Sequence, residues 1–178
     1  MQYTISESTL GLVLTAESAA GVCAVLLGND AGALRDDVRR RFPGTELREG
    51  GVEMQRRAAG VVRALEHPAH DDLSRAFPLD LRGTGFQRNV WNALRDIPAG
   101  ATATYTTIAR RLGRPSSARA VAHACAANPI AVLIPCHRVV RSDGAPAGYR
   151  WGLERKRTLL EREAAETAAG TRRSAPPL

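Results

Sequence analysis

The chain has 178 residues, of which 44% are hydrophobic and 24% are charged, enough apolar content for one sizeable domain or two small ones that share an interface. No apolar run approaches the roughly 18 residues that a membrane span requires, and the first residues lack the basic and apolar regions of a secretory signal. We therefore expect a soluble, cytoplasmic protein. Its cysteines, Cys23, Cys125 and Cys136, fit neither a disulfide framework nor a CxxC zinc pattern, so we expect no bound metal.

The net charge of +7 is distributed unevenly along the chain. Residues 1–96 carry a net charge of −1 and residues 143–178 a net charge of +2, whereas residues 97–142 contain six arginines and no acidic residue. Such a window is typical of a surface that binds a polyanion such as nucleic acid. The alternative explanation for the many arginines is a genome whose composition favours arginine and alanine. The complete absence of Asp and Glu in the window argues against it.

The first 82 residues follow an α/β pattern of short apolar runs separated by turns. The runs that predict strands are residues 2–6, 11–16, 21–28 and 77–83. A helix is predicted over residues 30–44, with Asp30 as its N-cap. A second helix is predicted over residues 52–68; its buried face should carry Val52, Ala59, Val62 and Leu65. We expect an N-terminal subdomain with a small mixed or antiparallel sheet.

The second part, residues 83–165, is predicted to be a mainly helical domain. It opens with a capping box formed by Thr84 and Gln87. The apolar face of the helix that follows should carry Phe86, Val90, Trp91 and Leu94. Beyond this domain, residues 166–178 are small, polar and proline-ended, so we predict a disordered tail.

Residues 104–129 predict a helix-turn-helix. Thr104 can cap the first helix, Gly113 supplies the turn, and Ser116 or Ser117 can cap the second helix. The inward-facing positions of the first helix are Ile108, Ala109 and Leu112.

The second helix of this motif is almost entirely alanine. A helix that reads base edges in the major groove normally carries Arg, Asn or Gln, and these are scarce here. Small side chains such as Ala120, Ala124 and Ala126 suit a close approach to the minor groove instead. Arg119 is a long side chain near the start of the helix, which could enter the duplex or contact a phosphate.

Cys136 lies between Pro135 and His137 in the apolar run of residues 134–140. The residues alone leave it as a buried core residue, a metal ligand or a nucleophile. We expect a buried strand that bends at Pro135, followed by a second strand. Adjacent side chains of an extended chain point to opposite faces, which disfavours a direct Cys136–His137 pair and calls for a relay. A thiolate needs a nearby base or a positive field, which His137 and the arginine-rich window could supply.

The run "IPCHRVV", with "AANP" before it and "GYRWGLERKRTLLERE" after it, resembles the active-site region of the O6-alkylguanine-DNA alkyltransferases. It is especially similar to the methyltransferase half of the bacterial adaptive-response proteins, most strongly over residues 86–163. The resemblance implies single-turnover repair of double-stranded DNA. O6-methylguanine, and O4-methylthymine as well, would be flipped out of the duplex and would lose its methyl group irreversibly to a cysteine. It also implies minor-groove binding by a monomer, without a cofactor.

The resemblance also implies roles for individual residues. Cys136 would accept the alkyl group, His137 would remove the thiol proton through a water molecule, and Glu163 would orient His137. Asn128 would order the hinge before the active site. Tyr105 would rotate the target nucleotide and supply a proton to the leaving guanine.

Further roles concern the DNA and the substrate. Arg119 would enter the base stack, and the carbonyl of Val139 would read the guanine amino group. Tyr149 and Arg150 would lie on the loop beside the base pocket, where the large Arg150 side chain should disfavour bulky adducts.

Alternatives to this interpretation remain. The adaptive-response proteins carry a zinc-binding cysteine cluster that is missing here, so we expect no phosphotriester repair and no linked transcriptional switch. A non-catalytic damage sensor of this family would lack the acceptor that Cys136 supplies. A helix-turn-helix regulator would need base-reading side chains, and a cysteine hydrolase would need a direct Cys–His pair.

Overall fold

The N-terminal part of the chain forms a mixed sheet. The computed structural model describes residues 1–69, 75–146 and 148–173. The strands are β1 (Gln2–Ser8), β2 (Gly11–Ser18), β3 (Gly21–Gly28) and β4 (Arg48–Glu49). β1, β2 and β3 are antiparallel neighbours, and β4 pairs in parallel with β1, which gives the order β3-β2-β1-β4. The three predicted long strands are therefore present.

Helices α1 (Ala31–Arg41) and α2 (Val52–Glu66) pack on this sheet. Asp30 caps α1 as predicted, because its Oδ1 accepts the N–H of Ala33 at 2.7 Å. The predicted buried face of α2 is wrong at Val52, which is 65% exposed, and at Ala59, which is also exposed. The residues that α2 buries are Met54, Ala58, Gly60, Val61, Ala64 and Leu65. Helix α2 has two overlapping apolar faces in its sequence. The face that contains Met54 is the one that packs on the sheet.

The predicted strand at residues 77–83 is reduced to a single parallel bridge between Leu79 and Val22. The Val22 N–H donates to the Pro78 carbonyl and the Asp80 N–H to the Val22 carbonyl, both at 2.9 Å. Pro78 has no N–H group to donate to a ladder, which is consistent with pairing that stops after one residue. The segment nevertheless fixes the connection between the sheet and the helical part.

Helix α3 (Gly85–Arg95) begins the helical part with the predicted capping box. The Thr84 N–H donates to Gln87 Oε1 at 2.9 Å, and the Gln87 N–H donates to Thr84 Oγ1 at 3.2 Å. The side chains that α3 buries are Val90, Trp91, Ala93 and Leu94. The indole N–H of Trp91 donates to the Ala124 carbonyl at 2.9 Å, which ties α3 to the second helix of the helix-turn-helix.

The two helices of the predicted helix-turn-helix are α4 (Tyr105–Arg111) and α5 (Ala118–Ala127). Thr104 caps α4, since its hydroxyl accepts the Thr107 N–H at 3.0 Å. Gly113 has a φ of 69° in the turn, a conformation that glycine adopts without steric cost. Ser117 is the N-cap residue of α5, as one of the two predicted serines, but its side chain makes no capping hydrogen bond, because a 3-10 turn over Pro115–Ser117 leads into the helix.

The segment around Cys136 is not the buried strand that the sequence predicts. Ile130 makes one bridge to Val25, residues 131–134 turn, and Cys136–Arg138 form a 3-10 helix. Strand β6 (Val139–Val140) then pairs in parallel with β5 (Ala103–Thr104). The apolar run of residues 134–140 indicates only that the segment is buried. A compact turn buries such side chains as well as a strand does.

Helix α6 (Leu153–Arg173) closes the described chain. The predicted disordered tail is therefore wrong for residues 166–173, while residues 174–178 lie outside the described residues. Alanine-rich sequence continues a helix readily once the helix has been nucleated. No helix in the described part of the chain is both long and apolar enough to cross a membrane.

The two parts share one hydrophobic core, and this core supports the turn that carries Cys136. The Val25 N–H donates to the Pro129 carbonyl, and the Ala131 N–H donates to the Val25 carbonyl, each at 2.9 Å. The edge of β3 thus holds the backbone that follows α5. The predicted fold class, an α/β N-terminal subdomain followed by a mainly helical part, is confirmed.

Candidate active site

Cys136 lies at the start of the 3-10 turn and is 5% exposed. Its Sγ lies 3.2 Å from the amide nitrogen of Asn128, which is also within hydrogen-bond distance of the Ile130 and Ile134 carbonyls. The Asn128 Oδ1 accepts the Ile130 N–H at 2.9 Å. Asn128 is the last residue of the second predicted helix of the helix-turn-helix. Its side chain therefore fixes the turn that leads to Cys136 and donates to the Cys136 sulfur.

The thiol of Cys136 is not acidic in this environment. Burial raises the pKa of Cys136 from 9.0 to about 11, although the Asn128 hydrogen bond and the charge of Lys156 act in the opposite direction. The thiol is therefore protonated at neutral pH. Nucleophilic chemistry at this sulfur requires a base that takes the proton as the reaction proceeds.

His137 and Glu163 form a fully buried pair, with His137 Nε2 2.7 Å from Glu163 Oε1. Arg138 Nε donates to the same oxygen at 3.0 Å, and the Gly100 N–H donates to Oε2 at 3.1 Å. Burial raises the pKa of Glu163, but these donors outweigh it and hold the pKa below its usual value. Glu163 is therefore an ionised carboxylate, as the sequence-based role requires.

The tautomer of His137 follows from this geometry. An ionised carboxylate only accepts hydrogen bonds, so Nε2 must carry the hydrogen. Burial lowers the pKa of His137 below 6.5 despite the opposing effect of Glu163, so the ring is neutral at pH 7. Its Nδ1 is then an unprotonated, buried nitrogen without a hydrogen-bond partner among the described residues. This nitrogen is available as a base.

Two buried cations belong to the site and were missed from the sequence. Arg138 was counted with the basic surface, but it is buried and binds the carbonyls of Ile97 and Pro68 as well as Glu163. Lys156 is also buried, and its Nζ donates to the Val139 carbonyl at 2.6 Å. The spacing of Lys156 and Glu163, two turns apart on one helix face, was a signal that could have found Lys156.

A cavity of about 430 Å³ opens beside Cys136. The residues that line it are Tyr105, Ala122, Cys125, Ala126, Cys136, Gly148, Tyr149 and Arg150. Of these, Ala122, Cys125 and Gly148 were not predicted. The hydroxyl of Tyr149 is buried and has no hydrogen-bond partner in the described part of the chain. Burial, together with Cys125 and Cys136, raises the pKa of Tyr105, so its hydroxyl keeps its proton and can donate.

The residues that line this cavity do not include four other predicted positions, Arg119, Ala120, Ala124 and Val139. Arg119 and Ala120 are exposed at the start of α5. Ala124 is only 2% exposed and faces the core, so the prediction that it contacts DNA is wrong. The Val139 carbonyl already accepts a hydrogen bond from Lys156, which leaves its second lone pair for a ligand.

Exposed arginines lie in the helix-turn-helix and after it. Arginines of the acid-free window that are exposed are Arg110, Arg111, Arg114, Arg119 and Arg141. Among the described residues, no three His, Cys, Asp or Glu side chains are grouped so that they could hold a metal ion. The site thus consists of a buried thiol, a neutral imidazole, a carboxylate and a cavity beside a cationic surface.

Comparison with known proteins gives the same result at three levels. The family described as 6-O-methylguanine DNA methyltransferase, DNA binding domain, matches residues 85–165. The bifunctional transcriptional activator/DNA repair enzyme Ada of Escherichia coli is 45% identical over 92% of this chain and 46% of its own length. The chain therefore spans about half the length of that relative. A methylated-DNA–protein-cysteine methyltransferase of Mycolicibacterium paratuberculosis is 47% identical over 65% of this chain and 71% of its own length.

A solved structure extends this similarity to the fold. The crystal structure of Mycobacterium tuberculosis OGT in complex with DNA matches with a TM-score of 0.76 and 32% identity. The match covers 93% of this chain and 94% of that one. It includes the N-terminal sheet, for which the sequence resemblance was weaker.

Replacing Glu163 with glutamine tests the buried charge cluster. The Glu163→Gln variant should lose about 3 kcal/mol of unfolding free energy, because the buried Arg138 guanidinium would lose its ion pair with this carboxylate. Glu161→Gln is the matched control on the same helix; Glu161 is exposed, so its change should be within about 0.5 kcal/mol. Urea denaturation measures both. Equal effects of the two substitutions would contradict the account of the cluster.

Proposed function

Since the chain belongs to the O6-methylguanine DNA methyltransferase family, we propose that it repairs alkylated DNA by moving the methyl group of O6-methylguanine to Cys136. The observation that carries the proposal is the position of Cys136, which lines a cavity while the neutral His137 and ionised Glu163 lie buried behind it. The protein acts once, as a cytoplasmic monomer, and consumes its own cysteine.

The first chemical step is removal of the thiol proton. It passes from Cys136 through a water molecule to Nδ1 of His137, and Glu163 stabilises the imidazolium that forms. The positive charge of Lys156 favours the thiolate, since it acts to lower the pKa of Cys136. Without substrate the Cys136 thiol stays protonated and unreactive. His137 is needed as a base only when the substrate is in place.

The second step is in-line attack of the thiolate on the methyl carbon. An S–C bond forms while the C–O6 bond breaks, and the electron pair of that bond moves onto the guanine. Tyr105 lines the same cavity, and its hydroxyl donates toward the charge that develops on the leaving base. The product is a thioether with no feasible leaving group, so the reaction ends after one turnover.

Double-stranded DNA is the proposed partner. The exposed arginines of the helix-turn-helix suit contacts to phosphates, and the alanine surface of α5 suits a close approach to the minor groove. Because Cys136 is buried, the damaged base must leave the stack to reach it. Arg119, which is exposed at the start of α5, would fill the space that the flipped base leaves in the stack. O4-methylthymine, which offers the same oxygen-bound methyl group, is a second proposed substrate.

Mass spectrometry tests the acceptor directly. After incubation with duplex DNA containing O6-methylguanine, the peptide of residues 120–138 should gain the mass of one methylene group. That tryptic peptide contains both Cys125 and Cys136, so fragment ions must assign the added mass to Cys136. Cys136→Ser should abolish the gain, whereas Cys23→Ala, a change in the core of β3, should preserve it. A methyl group on Cys125, or on no cysteine, would contradict the proposal.

The pH dependence of the transfer rate tests the base. Protonation of His137 removes the lone pair of Nδ1, and burial places its pKa below 6.5. The single-turnover rate should therefore decline in acid with a midpoint below pH 6.5. DNA affinity measured over the same range controls for binding. A midpoint at or above the ordinary histidine pKa would contradict a His137 base whose pKa is lowered by burial.

A further inference from the structure

Asp37 of α1 lies at a junction between the N-terminal part and the cavity. Nη2 of Arg150 lies 2.9 and 3.0 Å from its two carboxylate oxygens. Nε of Arg41 lies 3.3 Å from Oδ2. Nη2 of the exposed Arg40 lies 3.4 Å from Oδ1. One carboxylate therefore binds three guanidinium groups, none of which is needed for the chemistry at Cys136.

Arg150 and Arg41 lead to different walls of the cavity. Arg150 lines one wall beside Tyr149. Nη1 of Arg41 lies 3.4 Å from the carbonyl of Ala127, the last residue of α5, and the preceding Ala126 lines another wall. Asp37 thus connects the loop wall of the cavity, residues 148–150, to its helix wall, formed by α5. The connection runs through Arg150 on one side and Arg41 on the other.

The charges at this junction oppose each other when Asp37 is neutralised. Burial raises the pKa of Asp37, but hydrogen bonds from Arg150 and Arg41 outweigh it, so the pKa lies below its usual value. Burial lowers the pKa of Arg41, and the charge of Arg150 lowers it further. The two guanidinium groups therefore lie close enough to repel, and the carboxylate between them holds them together.

The rest of the loop wall is anchored independently. Arg155 donates to the Trp151 and Leu10 carbonyls, each at 2.8 Å, and to Asn29 Oδ1 at 2.7 Å. Loss of the Asp37 contact would therefore release the Arg150 end of the wall while its other end stays attached. Such a change widens the cavity without detaching the loop.

We propose that Asp37 is a positioning residue that sets the width of the cavity and so restricts the O6 substituent to small alkyl groups. This inference rests on the proposed function, because it concerns which substituents Cys136 can accept. It assigns a part in substrate selection to helix α1, outside the residues 85–165 that match the family's DNA-binding domain. An aryl substituent such as benzyl is the class that the cavity should reject while Asp37 holds Arg150 in its wall.

The experiment compares two substrates in matched variants. Duplex DNA carrying O6-methylguanine reports small-group transfer, and the free base O6-benzylguanine reports large-group transfer without DNA binding. Adducts on Cys136 are followed by mass spectrometry. Asp37→Asn removes the charge at the junction. Asp36→Asn is the control on the same helix, because Asp36 pairs only with the exposed Arg39 among the described residues, at 2.9 Å.

In Asp37→Asn the ratio of the benzyl to the methyl transfer rate should rise about tenfold, the size of effect expected when a pocket stops rejecting a larger group. Asp36→Asn should leave the ratio at the wild-type value, and Asp37→Glu should restore most of it. A merely structural role for Asp37 would lower both rates together. An unchanged ratio, or an equal fall of both rates, would overturn the inference.

Two further readouts keep the test decisive. If Asp37→Asn does not fold, wild-type protein in high salt replaces it, since screening weakens the ion pairs. The O6-benzylguanine rate should then rise with salt, and a flat rate would overturn the inference. If Cys136 of the wild-type protein gains no methyl group from O6-methylguanine DNA, the proposed function itself is rejected. The reaction with O6-methylguanine DNA reveals this before any variant is compared.

Discussion

The carboxylate of Glu163 lies in the core, where three donors from two segments converge on it: His137 and Arg138 of the 3-10 turn, and the Gly100 N–H. A buried carboxylate is stable only when such donors compensate its lost hydration. Its charge in turn fixes the tautomer of His137, which leaves a bare nitrogen beside the Cys136 turn. The chemistry of the site therefore depends on one electrostatic arrangement that folding must complete first.

The N-terminal sheet contributes to this arrangement although it carries none of the reacting atoms. Strand β3 holds the backbone on both sides of Ile130 through Val25, and Arg138 reaches the carbonyl of Pro68. Asp37 adds a contact to the loop wall of the cavity. Because these links cross between the two parts, the sheet acts as the support against which the Cys136 turn and the cavity walls are positioned.

The sequence predicted the elements whose signals are local. The cap at Asp30, the capping box at Thr84 and the three strands bounded by turns each depend on neighbouring residues, and the structure contains them. The buried face of α2 and the 3-10 turn at Cys136 could not be predicted in this way, because packing against distant segments selects among apolar patterns. Arg138 was missed for the same reason, since a buried arginine and a surface arginine look alike in a sequence.

The roles of Cys136, His137 and Glu163 came from the family resemblance, and the geometry supplies the physical reason for them. The thiol is protonated at rest, with a pKa of about 11, so reactivity depends on a neutral imidazole. Nitrogen-15 NMR of His137 tests this most directly. At pH 7 we expect a neutral ring protonated at Nε2, with an unprotonated Nδ1. An imidazolium, or a ring protonated at Nδ1 alone, would contradict the account.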